Sequence, residues 1–122
     1  MHEMSLMSEI LKIVSQDAVS HGFCNVTQIE VIVGDLSNVL PDALELAFFH
    51  QRKDPVSLPI NEKTALHIIR EPALSKCQTC HLEFEPDYQL ARCPRCGIPD
   101  CLLISGETFR VDAYEGSEEH EN

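Results

Sequence analysis

The apolar positions of this chain fall into runs whose spacing changes from one segment to the next. Across 4–21, Met7, Ile10, Leu11, Val14 and Ala18 recur at three- and four-residue steps, while Glu9, Lys12, Gln16 and Asp17 fill the other side. That spacing predicts an amphipathic helix with Ser5 placed to cap its first turn and Gly22 as its C′ residue. Over 26–33 the pattern becomes Val26, Thr27, Ile29, Val31, Ile32 and Val33, ahead of Gly34-Asp35. The β-branched density predicts a strand, and its consecutive apolar tail predicts burial on both faces. Pro41 opens a second helix across 41–52, with Leu44, Ala47 and Phe48 on one face. Asp42 and Glu45 lie in its first two turns, where carboxylates favour the helix dipole.

Lys53-Asp54-Pro55 ends that helix, and the connection through Pro59 and Asn61 reads as a loop. Alternation returns over 64–70, with Leu66 and Ile68 on one side and Ala65, His67 and Ile69 on the other, until Pro72 bars a central strand. Two late runs, 102–104 and 108–111, joined across Ser105-Gly106-Glu107, read as strand–turn–strand, the second rejoining the main sheet. From Glu115 the chain turns acidic and reads as a frayed tail.

Between the middle and the late strands the apolar pattern gives way to cysteines. Cys77-Gln-Thr-Cys80 and Cys93-Pro-Arg-Cys96 stand twelve residues apart, the first pair followed by His81 and the second by Gly97. Each C-x-x-C offers two thiolates from one tight turn whose amides can point back at the sulfurs. Two such turns make the tetrahedral sulfur set of a structural zinc. Four thiolates leave no open position, so Zn(II) here holds structure and does no chemistry. Three other readings compete. Cys77-x-x-Cys80-His81 also spells a covalent haem attachment, but that leaves the second pair unexplained. Two disulfides suit a secreted domain, yet no signal-like segment opens the chain. A redox C-x-x-C opens a helix, whereas Phe84-Glu85-Pro86-Asp87 does not read as one.

Composition changes the picture in two ways. Only seven of 122 residues are aromatic (two Tyr, five Phe, no Trp), so the core must be mainly aliphatic. The formal net charge of −11 argues against nucleic acid as a partner. Near the knuckles Lys76, Arg92 and Arg95 are offset by Glu83, Glu85 and Asp87, so the basic footprint of a nucleic-acid-binding ribbon is missing. No run of eighteen apolar residues is present to span a membrane, and six cysteines without an export signal imply a reducing compartment, the cytoplasm.

The N-terminus raises a second metal question. In Met1-His2-Glu3 the α-amine, the His2 amide nitrogen and the imidazole Nδ1 close a five- and a six-membered ring. Three coplanar nitrogens suit Ni(II) or Cu(II) better than Zn(II), and Glu3 can add its amide nitrogen or its carboxylate. Met-His also occurs by chance, and any free terminus of this kind binds these ions to some degree.

Several motifs recur together with it: Met1-His2-Glu3-Met4-Ser5-Leu6, a helix ending near His21-Gly22, Val33-Gly34-Asp35-Leu36-Ser37, and Pro41-Asp42-Ala43-Leu44-Glu45-Leu46-Ala47-Phe48. With the paired cysteine knuckles and Ile104-Ser105-Gly106, this ordered set resembles the HypA/HybF family of hydrogenase nickel-insertion proteins, from Met1 to about Tyr114. The resemblance implies a mixed α+β fold: a small sheet with two helices forming a nickel-binding domain (1–73 and 106–115), an inserted four-cysteine zinc ribbon (74–105), and an acidic tail (116–122). It implies Ni(II) as cargo held by Met1, His2 and Glu3, with structural Zn(II) on Cys77, Cys80, Cys93 and Cys96. It also implies delivery to the large-subunit precursor of [NiFe]-hydrogenase beside a HypB-type GTPase. The proline-containing loop 51–63 and Cys101 depart from the family pattern.

The remaining candidates have plain readings. Cys24 reads as a small packing residue and Cys101 as a spare or regulatory thiol near the ribbon. His81 could replace a cysteine on zinc but more simply serves its turn. His21 suits a helix C-terminus, His50 and His67 read as ordinary helix-end and strand residues, and His120 lies in a solvated acidic tail. With no Gly-rich phosphate loop and no nucleophile elbow, the chain does not read as an enzyme. The rival expectation is a zinc-ribbon scaffold for protein interaction in which the N-terminal His is incidental.

Overall fold

The computed structural model describes residues 2–86, 92–97, 99 and 101–118. Its elements run α1 (His2–Ser20), β1 (Asn25–Gly34), α2 (Pro41–Gln51), β2 (Ala65–Glu71), β3 (Leu74–Cys77), β4 (Glu83–Phe84), β5 (Cys101–Ser105) and β6 (Phe109–Ser117). They build the mixed α+β fold expected from the sequence: two helices on one three-stranded sheet, with a second small sheet carrying the cysteines.

In the main sheet β1 is central, parallel to β2 and antiparallel to β6. The parallel pairing needs a crossover, and α2 supplies it. Met7, Ile10, Leu11, Val14 and Ala18 of α1 are buried against Val26, Ile29, Val31 and Val33 of β1 and Leu44, Ala47 and Phe48 of α2. Leu66 and Ile68 from β2 and Phe109, Val111 and Tyr114 from β6 close the flanks. The core is aliphatic around one large ring, Phe48, with the Arg52 guanidinium 5.5 Å from its centroid.

Three expectations are corrected. First, β1 is buried on one face only: its even-numbered residues Gln28, Glu30 and Ile32 are half-buried, because both helices pack on the same side. Second, α1 begins at His2, which leaves Ser5 exposed inside the helix and unable to cap it. Third, β6 carries the chain through Glu115 and Gly116 to Ser117, with Asn25 opposite Ser117, so the strand reaches past the point where acidity suggested fraying. The two late strands part as the sequence suggested: β5 joins the ribbon sheet, while β6 rejoins the main sheet beside β1. At the other end of α1, Gly22 does adopt a left-handed φ of +78°, and Phe23 N–H reaches back to the Ala18 carbonyl at 2.9 Å.

The loop after α2 is more structured than its prolines suggest. It holds a 3₁₀ turn, Pro55–Ser57, and inserts Ile60 into the core. Thr64 Oγ1 then donates to the Val26 carbonyl at 2.6 Å, fixing the start of β2 beside β1.

The two sheets meet where the chain leaves and re-enters the main domain. Gly106 N–H donates to Glu71 Oε1 at 2.7 Å, Leu36 N–H to the Gly106 carbonyl at 2.7 Å, and Ser105 Oγ to the Pro72 carbonyl at 2.7 Å. The backbones approach so closely that a Cβ on Gly34 would lie 2.1 Å from the Gly106 oxygen. The Glu71 carboxyl is held below its ordinary range, chiefly by the Gly106 amide.

Candidate metal centre

β3 ends on Cys77, and its chain reverses so that Leu82 carbonyl accepts from Cys77 N–H at 2.9 Å, leading into β4. The turn between them is the first knuckle. His81 takes a left-handed φ of +64° and its N–H donates to the Cys77 carbonyl at 2.9 Å, while Cys80 N–H points at Cys77 Sγ, 3.5 Å away. The second knuckle repeats the design. Gly97 has φ +70° and donates to the Cys93 carbonyl at 2.8 Å, and Cys96 N–H lies 3.3 Å from Cys93 Sγ. In both, the left-handed residue after the second cysteine turns the chain so that an amide faces the first sulfur.

The four Sγ atoms of Cys77, Cys80, Cys93 and Cys96 all lie within 4.8 Å of one another, with Cys80 and Cys93 3.6 Å apart. Thiolates about 2.3 Å from a central ion at tetrahedral angles stand about 3.8 Å from each other, so the cluster has the size of a tetrahedral metal site. Cys77 and Cys93, the first cysteine of each knuckle, are buried; Cys80 and Cys96 are half-buried. Arg95 reaches across the cluster and donates to the Cys80 carbonyl at 3.1 Å.

The thiols are electrostatically inequivalent. Arg95 and then the Leu82 amide pull Cys80 down to about 6, and the Cys80 amide lowers Cys77. Cys96 is pushed up to about 12, first by its hydrogen bond with Cys80 and then by burial. Four thiols crowded together cannot all shed their protons unless a cation stands among them, which is the chemistry of a metal-binding set. The sulfur donors fit Zn(II), and a closed set of four would supply structural cross-linking.

Cys101 lies outside this cluster but directly opposite Cys77 in the β3–β5 ladder, and its thiol is pushed up by burial and then by Cys77. Cys24 is exposed, which corrects its reading as a packing residue. His50 and His67 are exposed, as are Glu83 and Glu85. His21 sits at the α1 C-terminus with Nδ1 2.8 Å from the Asp17 carbonyl. Tyr88, Asp87 and His120 lie outside the described residues.

Of the three N-terminal residues, Met1 lies outside the described residues. His2 opens α1 with its side chain 59% exposed, and Nδ1 is 3.7 Å from Glu3 Oε2. Glu3 is turned inward: its side chain is 13% exposed and accepts from the Leu40 N–H at 3.2 Å. That amide, and after it Glu3's own, hold the Glu3 carboxyl below its ordinary range. Sequence reasoning assigned no role to Leu40 and named Arg95 without its contact to Cys80. Arg95 was visible as a cation inside the second knuckle, whereas nothing in the sequence pairs Glu3 with a residue 37 positions away. Among the described residues no helix is long and apolar enough to cross a membrane.

Comparison with known proteins places this arrangement. A family model described as "Hydrogenase/urease nickel incorporation, metallochaperone, hypA" matches residues 1–116. The hydrogenase maturation factor HypA of Moorella thermoacetica is 32% identical over 116 residues, covering 95% of this chain and 99% of that protein. The hydrogenase maturation factor HybF of Klebsiella pneumoniae is 33% identical over the same length, with the same coverage of each. Among solved structures, that of the Ni metallochaperone HypA from Helicobacter pylori superposes with a TM-score of 0.63 at 19% identity, over 96% of this chain and 98% of that one.

Proposed function

This chain belongs to the HypA family of hydrogenase/urease nickel-incorporation metallochaperones, which are not enzymes, and on that premise we propose that it takes up Ni(II) at its N-terminus and delivers it to the large-subunit precursor of [NiFe]-hydrogenase. The observation that carries this reading is the start of α1 at His2. The first turn of a helix leaves its amide nitrogens without intrahelical partners, so the His2 and Glu3 amides are not committed to helix hydrogen bonds. The Met1 α-amine, the His2 amide and the exposed His2 imidazole would then form fused chelate rings around Ni(II), with Glu3 able to add a further donor. A deprotonated amide is an anion at the positive end of a helix dipole, where it is favoured. Because binding displaces protons, loading weakens as pH falls.

Cys77, Cys80, Cys93 and Cys96 would hold Zn(II), which would keep the ribbon folded. The open nickel site exchanges ligands, while the closed zinc site does not. A recipient offering thiolates draws the nickel away, since soft sulfur donors outcompete amine and imidazole for the ion. A HypB-type GTPase supplies the nucleotide hydrolysis, this sequence carrying no Gly-rich phosphate loop, and the exchange takes place in the cytoplasm.

Native mass spectrometry of the untagged, zinc-loaded protein titrated with Ni(II), beside His2→Ala and a variant extended by one residue before Met1, tests the proposal. One zinc in all three and one tightly bound nickel in the parent alone is the expected result. Equal nickel uptake by all three would sink it and move the assignment to a zinc-ribbon scaffold with an incidental histidine.

A further inference from the structure

The N-terminus of α2 lacks a partner from its own helix. Leu40 at the N-cap has no side chain that can accept a hydrogen bond, and no side-chain cap is formed there. In a capping box, a Glu or Gln at the third helical position reaches back to the N-cap amide. The third position of α2 is Ala43, which cannot. The acceptor comes from α1 instead, because Glu3 Oε2 takes the Leu40 N–H at 3.2 Å.

Leu40 is a fixed point. The segment leading to it is pinned along its length: Gly34 N–H to the Thr108 carbonyl at 2.6 Å, Asp35 N–H to the Glu71 carbonyl at 3.0 Å, Leu36 N–H to the Gly106 carbonyl at 2.7 Å, and Val39 N–H to Ser37 Oγ at 3.3 Å. One residue along α1, Gln51 Nε2 donates to the Met4 carbonyl at 3.0 Å. Two ties from α2 therefore grip the first turn of α1, which is the turn that would otherwise fray. The Glu3 oxygen nearest the His2 ring, at 3.7 Å, is the same Oε2 that Leu40 holds.

We infer that Glu3 is a positioning residue: its carboxylate closes a capping box on α2 from the neighbouring helix and thereby fixes the His2 backbone for nickel, rather than binding the ion itself. This rests on the nickel-site reading above. The side chain is committed inward, so Glu3 contributes to the metal through its amide nitrogen alone. Acceptor geometry, not charge, is then what the position requires.

The test is Ni(II) affinity by isothermal titration, with amide hydrogen exchange at Leu40, for zinc-loaded parent, Glu3→Ala, Glu3→Gln, Leu40→Pro and His2→Ala. Glu3→Gln keeps an oxygen acceptor and should hold nickel within about twofold of the parent, while Glu3→Ala should weaken it roughly fivefold and unprotect Leu40. Leu40→Pro deletes the donor at a φ of −88° that proline nearly matches, leaves the Glu3 carboxylate intact, and should weaken nickel as Glu3→Ala does. Two results would overturn the inference: Glu3→Gln losing nickel as fully as Glu3→Ala with Leu40 still protected, or Leu40→Pro binding nickel like the parent. Unchanged uptake by His2→Ala would instead remove the nickel site, and Leu40 exchange in Glu3→Ala against Glu3→Gln would still decide the cap.

Discussion

Phe48 and Cys77 are both 0% exposed, yet they are buried by different means. Around Phe48 two helices and a sheet bring together thirteen other buried apolar residues, among those described, from α1, β1, α2 and the adjoining loops. Among the described residues of the ribbon, the buried ones besides Cys77 are Ser75 and Cys93, and strand β5 leaves Leu102, Leu103 and Ile104 exposed. Ser75 Oγ is buried with no partner among the described residues. The main domain excludes water with hydrocarbon, whereas the described part of the ribbon buries little hydrocarbon and gathers sulfur instead. Small units of this size need a staple, and four thiols within 4.8 Å are where it goes.

The sharpest way to break the contrast is to remove the metal. A strong chelator, or Cys77→Ser with Cys93→Ser, should abolish exchange protection across β3 and β5 while α1, β1 and α2 keep theirs, because metal-binding energy is folding energy only where no other core exists. Simultaneous loss of protection in both regions would show that they fold as one unit. The converse cut is Phe48→Ala, which should destabilise the main domain by about 3–5 kcal/mol in urea denaturation. The zinc content of the folded fraction should stay at one per chain.

A third substitution addresses the seam. Gly34→Ala drives a Cβ to 2.1 Å from the Gly106 oxygen, backbone against backbone, so neither side can yield by a rotamer change. A loss of about 2 kcal/mol or more is expected, with exchange rising first at Leu36 and Gly106. The smallest effect should come from Tyr114→Phe, which removes the Tyr114–Asp17 hydrogen bond joining β6 to α1 and should cost about 1 kcal/mol. Burial, and then Asp17, pushes the Tyr114 hydroxyl up to about 12 from its ordinary 10. A folded-state value above the unfolded one means that this contribution is intact below pH 10 and is lost as pH rises from about 10 to about 12. Tyr114→Phe should flatten the alkaline limb of the stability–pH curve in that window, and an unchanged limb would assign it to other groups.

Much of the fold was legible because local signals were strong. The three- and four-residue spacing of α1, the β-branched run of β1 and Pro41 at the head of α2 each name an element without reference to the rest of the chain. Boundaries were harder, since α1 starts earlier and β6 ends later than composition suggests. In both places contacts distant in sequence hold the end: Gln51 grips Met4, and β1 pairs Ser117. The one-sided burial of β1 was hidden because apolar content measures what a face tolerates, not whether a helix covers it.

The cysteine spacing by itself determined the metal cluster, since two thiols per turn and a left-handed residue after each pair are local geometry. The residues proposed for the N-terminal chelate are likewise named by the sequence, because adjacent nitrogens close rings whatever the fold does elsewhere. Only the tertiary structure decided the rest. It set Arg95 across the knuckles, Cys101 opposite Cys77, Gly106 against Gly34, and the Glu3 carboxylate on the Leu40 amide. Each is a contact between elements, fixed by how helices and sheets pack rather than by any spacing along the chain, and so it exists only once the core has formed.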